Sequence, residues 1–129
     1  MKNEKLQMKQ QRFAQALLQL RKVLQEPASE YIRDAAIQRF EFTYELAWKT
    51  LQAYLATIDI VVLSPKETLK IAYEQGLIKD ASAWSELHRQ RNLTGHTYDQ
   101  KLAESVYRFL QENGLQLFLE LQTTLNEKL

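Results

Sequence analysis

An arginine and a histidine with four residues between them, Arg91 and His96, are followed two residues later by a tyrosine, Tyr98. Histidine titrates near neutral pH, at about 6.5 when unperturbed, so its imidazole can both accept and donate protons. Arginine stays charged and presents a planar set of donors to phosphate oxygens. Together the two side chains are a minimal set for metal-free cleavage of RNA, in which a ribose 2′-hydroxyl attacks the neighbouring phosphate.

Other kinds of site find no support in the sequence. There is no glycine-rich phosphate loop, no dinucleotide-binding fingerprint and no nucleophile-elbow serine. The chain has no cysteine, and its two histidines, His88 and His96, are eight residues apart, outside the common metal-ligand spacings. We therefore expect neither a metal centre nor a cofactor.

The spacing of Arg91 and His96 limits how they can meet. On a straight helix a five-residue step leaves the two side chains about 140° apart, so they do not share a face. Either Gly95 ends or bends the helix and lets His96 swing back, or two copies of the segment meet across a two-fold axis and pool both residues. Asn92 lies four residues before His96, so it is a candidate for orienting the imidazole or the phosphate.

Net charge sets a limit on nucleic-acid binding. At +1 it argues against attraction through a global positive field, but a small basic cluster can still bind a few phosphates. The candidates for that cluster are His88, Arg89, Arg91, His96, Lys101 and Arg108. Within it, His88 is a possible supporting residue whose simpler interpretation is a packed or capping histidine, and Arg89 is expected to be solvated.

The rest of the chain is expected to position this stretch. With 129 residues, 45% of them apolar, and only three glycines and two prolines, the sequence predicts one all-α domain over residues 1–129, an up-and-down bundle of about five helices. The charged N-terminus is not followed by an apolar signal segment, and no apolar run could span a bilayer. We therefore predict a cytoplasmic protein without membrane association.

Capping residues and apolar periodicity define the elements. The first helix is predicted from about residue 4 to 25, and the second, starting near Ser29 and running to about residue 58, as the spine of the bundle. Residues 60–63 are predicted to be a packed connector. Ser64 and Asp80 begin the third and fourth helices, Asp99 begins the next, Asn113-Gly114 is expected to break it, and a last amphipathic stretch runs to Leu129.

The fourth helix changes character along its length. Trp84, Leu87, His88 and Arg91 recur at spacings of three and four residues, so they lie on adjoining faces. The apolar stripe thus becomes polar towards its C-terminal end. Such a change in a pattern that otherwise faces a core is typical of a functional site.

The stretch from Arg91 to Asp99 resembles the Arg-x4-His-x-Tyr signature of the HepT branch of the HEPN superfamily, also called nucleotidyltransferase substrate-binding proteins. The likeness extends through residues 39–51 and 64–67, and it covers the chain from about residue 10 to 125. It implies a helical bundle that forms a homodimer through the signature-bearing helices. It also implies a metal-independent ribonuclease that acts as the toxin of a toxin–antitoxin pair, without indicating whether tRNA or mRNA is the target.

The resemblance also assigns roles to individual residues. Arg91 and His96 are implied to be catalytic, and Tyr98 to receive AMP from a cognate MNT-type nucleotidyltransferase, the antitoxin. Two alternatives stay open at this point. One alternative to the ribonuclease is a non-catalytic substrate-binding subunit of a nucleotidyltransferase. The other is a purely structural helical dimer, in which the clustering of Arg91, His96 and Tyr98 would be accidental.

Overall fold

The longest helix is the spine of the fold, as predicted. In this computed structural model, which describes residues 2–128, α2 contacts α1, α3, α4 and α5, and its 28 residues extend about 42 Å. The helices are α1 (Lys2–Leu24), α2 (Glu30–Thr57), α3 (Pro65–Glu74), α4 (Ala81–Leu93), α5 (Gln100–Phe109) and α6 (Leu115–Lys128). The predicted all-α bundle is confirmed, and no strand occurs within residues 2–128.

Four helix starts predicted from capping residues are confirmed. The side-chain oxygens of Ser29, Ser64, Asp80 and Asp99 each accept a hydrogen bond from a backbone N–H in the first turn of the helix that follows. Each cap satisfies a donor that has no partner within its helix, and caps of this kind stabilise a helix by about 1 kcal/mol. The same local chemistry therefore fixes where α4 begins and where the chain resumes as α5 after the motif.

The core is centred on one aromatic side chain of the last helix. The Phe118 ring is fully buried and lies 6.3 Å from Phe13 of α1, 6.1 Å from Phe40 of α2 and 6.0 Å from Trp84 of α4. Such ring pairs add about 0.5–1.5 kcal/mol each beyond their buried area. Phe118 thereby ties the motif-bearing helix α4 to the two longest helices.

The predicted break at Asn113-Gly114 is wrong. A five-residue π-helical turn, Leu110–Gly114, joins α5 to α6 without a break. These two helices therefore form one continuous rod, and the six helices of the described part make five rods. Gly114 is buried, and a Cβ there would lie 3.1 Å from the Leu110 side chain. Glycine therefore allows close side-chain packing inside the turn rather than ending the helix. Leu129, the last residue of the predicted stretch, lies outside the described residues.

The apolar connector packs through two of its four side chains. Val62 is buried and Ile60 packs partly buried against the core, whereas Val61 and Leu63 are exposed. The predicted packed connector is therefore confirmed at Ile60 and Val62. No helix among residues 2–128 combines the length and hydropathy needed to cross a membrane.

Candidate functional site

The Arg91 guanidinium, in the last turn of α4, is held from two sides. Its Nη1 donates a 2.9 Å hydrogen bond to Thr94 Oγ1 and lies 3.6 Å from Glu41 Oε2 of α2. Thr94 Oγ1 also lies 3.3 Å from the same Glu41 oxygen. About 28% of the Arg91 side chain is exposed, so the group is both oriented and accessible to an anion.

Glu41 is the residue that the sequence did not reveal as part of the site. Its spacing predicts only a place on the polar face of α2, opposite the core, together with Glu45 and Lys49. The polar face of α2 is instead partly covered by the end of α4, where Glu41 meets Arg91. Only the packing of two helices distant in sequence distinguishes Glu41 from Glu45, which pairs with Lys49 one turn along its own helix.

The residue that caps the C-terminus of α4, directly after Leu93, is Thr94 rather than Gly95. The Thr94 hydroxyl donates a 2.7 Å hydrogen bond to the Arg91 carbonyl, and the chain tightens into a 3₁₀ turn, Thr94–His96. Gly95 does not adopt a positive φ, and a Cβ at this position would meet nothing within 4 Å. The expectation that glycine supplies the bend is therefore wrong, because a threonine side chain that bonds to the preceding turn changes the helix here.

His96 and Tyr98 lie on the surface beyond this turn. Both are exposed, Tyr98 by 84%, and their rings meet edge to face with centroids 6.2 Å apart. One backbone hydrogen bond stabilises this loop, in which the Asp99 N–H donates to the His96 carbonyl at 3.1 Å. Within one chain, no hydrogen bond or ion pair among the described residues joins His96 to Arg91.

Asn92 lies beside His88 rather than His96. Its Nδ2 is 3.4 Å from His88 Nε2, while Tyr44 Oη of α2 lies 2.6 Å from His88 Nδ1. The expected pairing of Asn92 with His96 assumed a helix running through both residues, and α4 ends at Leu93. Asn92 is nevertheless exposed, one residue after Arg91, and its expected role towards a phosphate stays a prediction.

His88 is a packed histidine, in agreement with the simpler interpretation. Its ring lies 5.9 Å from that of Tyr44, which is almost fully buried. Burial lowers the pKa of His88, and the charges of Lys66 and Arg91 lower it further. Burial likewise raises the pKa of the Tyr44 phenol. Both groups are therefore neutral at pH 7, and they connect α4 to α2 one turn before Arg91.

Two arginines of the basic cluster expected from the sequence, Arg89 and Arg91, are bound to carboxylates on different helices. Arg89 donates three hydrogen bonds of 2.7–3.2 Å to the carboxylate of Glu86 on its own helix, and these lower the pKa of Glu86 to about 2. Lys101 and Arg108 are exposed on α5. Among residues 2–128, no group of three or more histidine, aspartate or glutamate side chains is arranged to hold a metal ion.

Comparison with known proteins relates this geometry to a family. The family model described as "Nucleotidyltransferase substrate binding protein like" matches residues 8–127. A Haemophilus influenzae protein named "Probable ribonuclease HepT" is 44% identical over 77 residues. That alignment covers 56% of this chain, and the chain spans about half (53%) of the relative's length.

Two solved structures are similar over most of the chain. A crystal structure of a Thermus thermophilus protein has a TM-score of 0.81 and 38% identity, covering 88% of this chain and 98% of the other. A Haemophilus influenzae protein, described as revealing the fold of a substrate binding domain of a nucleotidyltransferase, has a TM-score of 0.65 and 32% identity, covering 98% and 99%. The chain therefore belongs to the nucleotidyltransferase substrate binding protein-like family, the HepT-type family that its motif resembles.

Proposed function

We propose that this chain is a metal-independent endoribonuclease in which Arg91 and His96 carry the reaction. The observation that carries the proposal is the fixed, partly exposed guanidinium of Arg91, held by Glu41 and Thr94 close in sequence to an exposed imidazole. The name of the Haemophilus influenzae relative, a probable ribonuclease, supports the same activity. No other pair of side chains in the motif combines a phosphate-binding cation with a group that titrates near neutrality.

The proposed reaction is an internal transfer at phosphorus. The 2′-oxygen of the ribose loses its proton and forms a bond to phosphorus, while the bond from phosphorus to the 5′-oxygen breaks and that oxygen gains a proton. The products are a 2′,3′-cyclic phosphate and a 5′-hydroxyl. His96 transfers a proton, typically a 10²–10⁴-fold effect, and Arg91 binds the phosphate oxygens on which charge increases.

In the proposed assembly two copies supply one site. Arg91 is tied to α2 and His96 lies exposed on the surface, so a second motif packed against the first can complete the set of groups. This proposal predicts a dimer in sedimentation experiments and a specific activity that falls when the protein is diluted below its dissociation constant. A monomer with concentration-independent specific activity would contradict it.

Tyr98 is the proposed point of control by an MNT-type nucleotidyltransferase, which would be the antitoxin of this toxin. Its hydroxyl attacks the α-phosphate of ATP, loses its proton and releases pyrophosphate, which leaves AMP on the phenol. Exposure of the ring and its contact with His96 support this role. The attached phosphate then competes for Arg91, and the nucleoside blocks access for RNA.

The control by Tyr98 is tested with Tyr98→Phe. This variant should keep its ribonuclease activity and resist silencing by the nucleotidyltransferase and ATP. Tyr31→Phe, a change at an equally exposed tyrosine, should be silenced like the wild type. Silencing of Tyr98→Phe would rule out this residue as the acceptor.

The activity itself is tested by incubating purified protein with total RNA in EDTA, comparing wild type with His96→Ala. We expect cleavage to new 2′,3′-cyclic phosphate ends by the wild type alone, and growth arrest when the wild type is expressed without its partner. If the two proteins behave alike, the enzyme proposal is wrong.

One alternative rests on a specific finding. The family description and the structure that covers 98% of this chain both refer to a substrate binding role alongside a nucleotidyltransferase. In that alternative the chain presents a substrate to the nucleotidyltransferase and cleaves nothing. It predicts a tight complex, harmless expression and no RNA cleavage under any condition, so the EDTA experiment separates the two functions.

A further inference from the structure

A groove of about 440 Å³ opens between α3 and α4, one helical turn from Arg91. Its floor is apolar, formed by the buried side chains of Leu69, Ile78 and Trp84, and Tyr73 stands half-exposed at its side. The volume lies in the range of small-molecule pockets, which combine an apolar lining with a few polar groups. The groove therefore fits a flat apolar group, such as a nucleobase, better than a chain of polar groups.

The charged groups around the groove favour an anionic ligand. Lys66 and Lys70 line it, against one carboxylate, that of Glu74. Lys66 is close enough to lower the pKa of His88, which lines the end of the groove nearest the motif. A ligand that combines an aromatic ring with a phosphate would match both the floor and the rim.

Its position connects the groove to the proposed site. His88 precedes Arg91 by three residues on α4, which is a rise of about 4.5 Å along the helix axis. His88 is neutral and its Nδ1 is bonded to Tyr44, so its ring is held in one orientation at the end of the groove and adds no charge there. A nucleotide bound both at Arg91 and in the groove would therefore span about one turn of α4.

We propose that the α3–α4 groove binds a base of the RNA strand next to the phosphodiester held by Arg91. This inference rests on the proposed function and deepens it, because the groove would then select which nucleotide flanks the cleaved bond. Two lysines at its rim argue against a second copy as the occupant, since lysine is depleted at protein–protein interfaces. Stacking of a base on an aromatic side chain, here Tyr73, typically changes affinity about tenfold when it is lost.

The test fills the groove without removing any packed side chain. Ser85 lines the groove and is exposed, and Ser82, exposed on the same helix, does not line it. We expect Ser85→Tyr to weaken binding of fluorescein-labelled 2′-O-methyl oligoribonucleotides, which cannot be cleaved, at least tenfold in anisotropy titrations. Ser82→Tyr, the matched control, should bind within twofold of the wild type.

A second pair of variants tests the stacking contact. Tyr73→Ala should weaken binding of the same oligonucleotides about tenfold, and Tyr73→Phe, which keeps the ring, should restore it. The groove proposal is overturned if Ser85→Tyr and Tyr73→Ala both bind like the wild type. It is also overturned if the wild type binds no homo-oligomer of A, C, G or U, if only free AMP or ATP competes at the groove, or if Ser85→Tyr changes the oligomeric state instead.

Failure of this inference and failure of the proposed function give different results. Groove-dependent binding without cleavage of total RNA in EDTA would support the groove and contradict the ribonuclease. Cleavage that Ser85→Tyr and Tyr73→Ala leave unchanged in rate and position would support the ribonuclease and contradict the groove.

Discussion

The two halves of the motif lie in opposite environments, although only four residues separate Arg91 from His96. Arg91 is bound to Glu41 and Thr94 at the contact between α4 and α2, whereas His96 is exposed beyond a 3₁₀ turn and touches the ring of Tyr98. The side chain of one half is thus oriented by contacts with another helix, and the side chains of the other half are exposed. A donor held in a fixed direction can stabilise developing charge without reorganising during a reaction, and of the two halves only Arg91 has such a fixed side chain.

In the proposed function, this difference corresponds to a division of tasks. A guanidinium that binds phosphate must have a fixed direction, since its planar fork matches two oxygens only in one orientation. An imidazole that transfers protons and a phenol that accepts AMP must be reachable by other molecules. The following predictions test or refine this comparison.

The largest effect on RNA cleavage is expected from Arg91, the half of the motif whose side chain is oriented by the fold. Arg91→Ala should lower kcat/KM for RNA cleavage about 10²–10³-fold, because it removes the fixed donor for the phosphate. Arg89→Ala is the matched control, and it should stay within twofold because Arg89 is bound to Glu86. Initial rates in EDTA measure both variants, and an equal loss in the two would show that only overall positive charge matters.

A smaller effect is expected when Arg91 keeps its charge and loses its support. Glu41→Gln should lower kcat about tenfold with little change in KM, since the guanidinium is no longer held in one direction. The free energy of unfolding should change by less than about 1 kcal/mol, because the pair is partly exposed.

The control for Glu41 is Glu45→Gln, which removes the charge that pairs with Lys49 and accepts a hydrogen bond from Trp48, both on α2, and it should leave kcat unchanged. In an Arg91→Ala background, Glu41→Gln should have no further effect on the rate. An additional loss there would mean that Glu41 acts independently of Arg91.

A third prediction concerns stability at the turn before Arg91. The pKa of His88 is lower in the folded protein than in the unfolded chain, where it is about 6.5. Its contribution to stability is therefore present above pH 6.5 and is lost as the pH falls through the folded pKa. The wild type should lose free energy of unfolding between pH 7 and 5.5, measured by urea denaturation, and His88→Gln should lose less.

His96→Gln serves as the comparison for this measurement, because it removes the exposed histidine of the other half. The free energy of unfolding of His96→Gln should change with pH as it does in the wild type. If the dependence instead disappears in His96→Gln and persists in His88→Gln, the assignment of the two environments is reversed.

The smallest effect is expected at Gly95. Because a Cβ there meets nothing and φ is ordinary, Gly95→Ala should change the free energy of unfolding by no more than about 1 kcal/mol, towards stability. Cleavage should be unchanged. A loss of cleavage at unchanged stability would reveal that RNA or a second copy packs against this position in the active assembly.

Most of the bundle followed from local signals in the sequence. The caps at Ser29, Ser64, Asp80 and Asp99 predicted helix starts, because a side-chain oxygen near the first turn satisfies a backbone donor wherever the helix packs. The break expected at Gly114 was wrong because the effect of a glycine is not fixed by local sequence. Whether glycine ends a helix or permits tight packing depends on its neighbours, here Leu110 across a π-turn.

The candidate residues were predicted by type, and their surroundings were not. Arg91, His96 and Tyr98 stand out by chemistry and spacing, and their roles remain proposals. That Glu41 holds Arg91, and that Asn92 lies beside His88 instead of His96, depends on how α2 and α4 pack and on where α4 ends. Neither contact leaves a periodic signal in the sequence.

By itself, then, the sequence determined the helical class, the helix starts and the motif, because these depend on side-chain chemistry within a few residues. The tertiary structure alone decided which carboxylate faces the arginine, how the helix ends before the histidine, and that a groove lies beside the motif. The physical reason is that an ion pair or a groove between helices requires groups that are distant along the chain to approach within a few ångströms. The Phe118 ring, packed against Phe40 of α2 and Trp84 of α4, is one of the contacts that bring these two helices together.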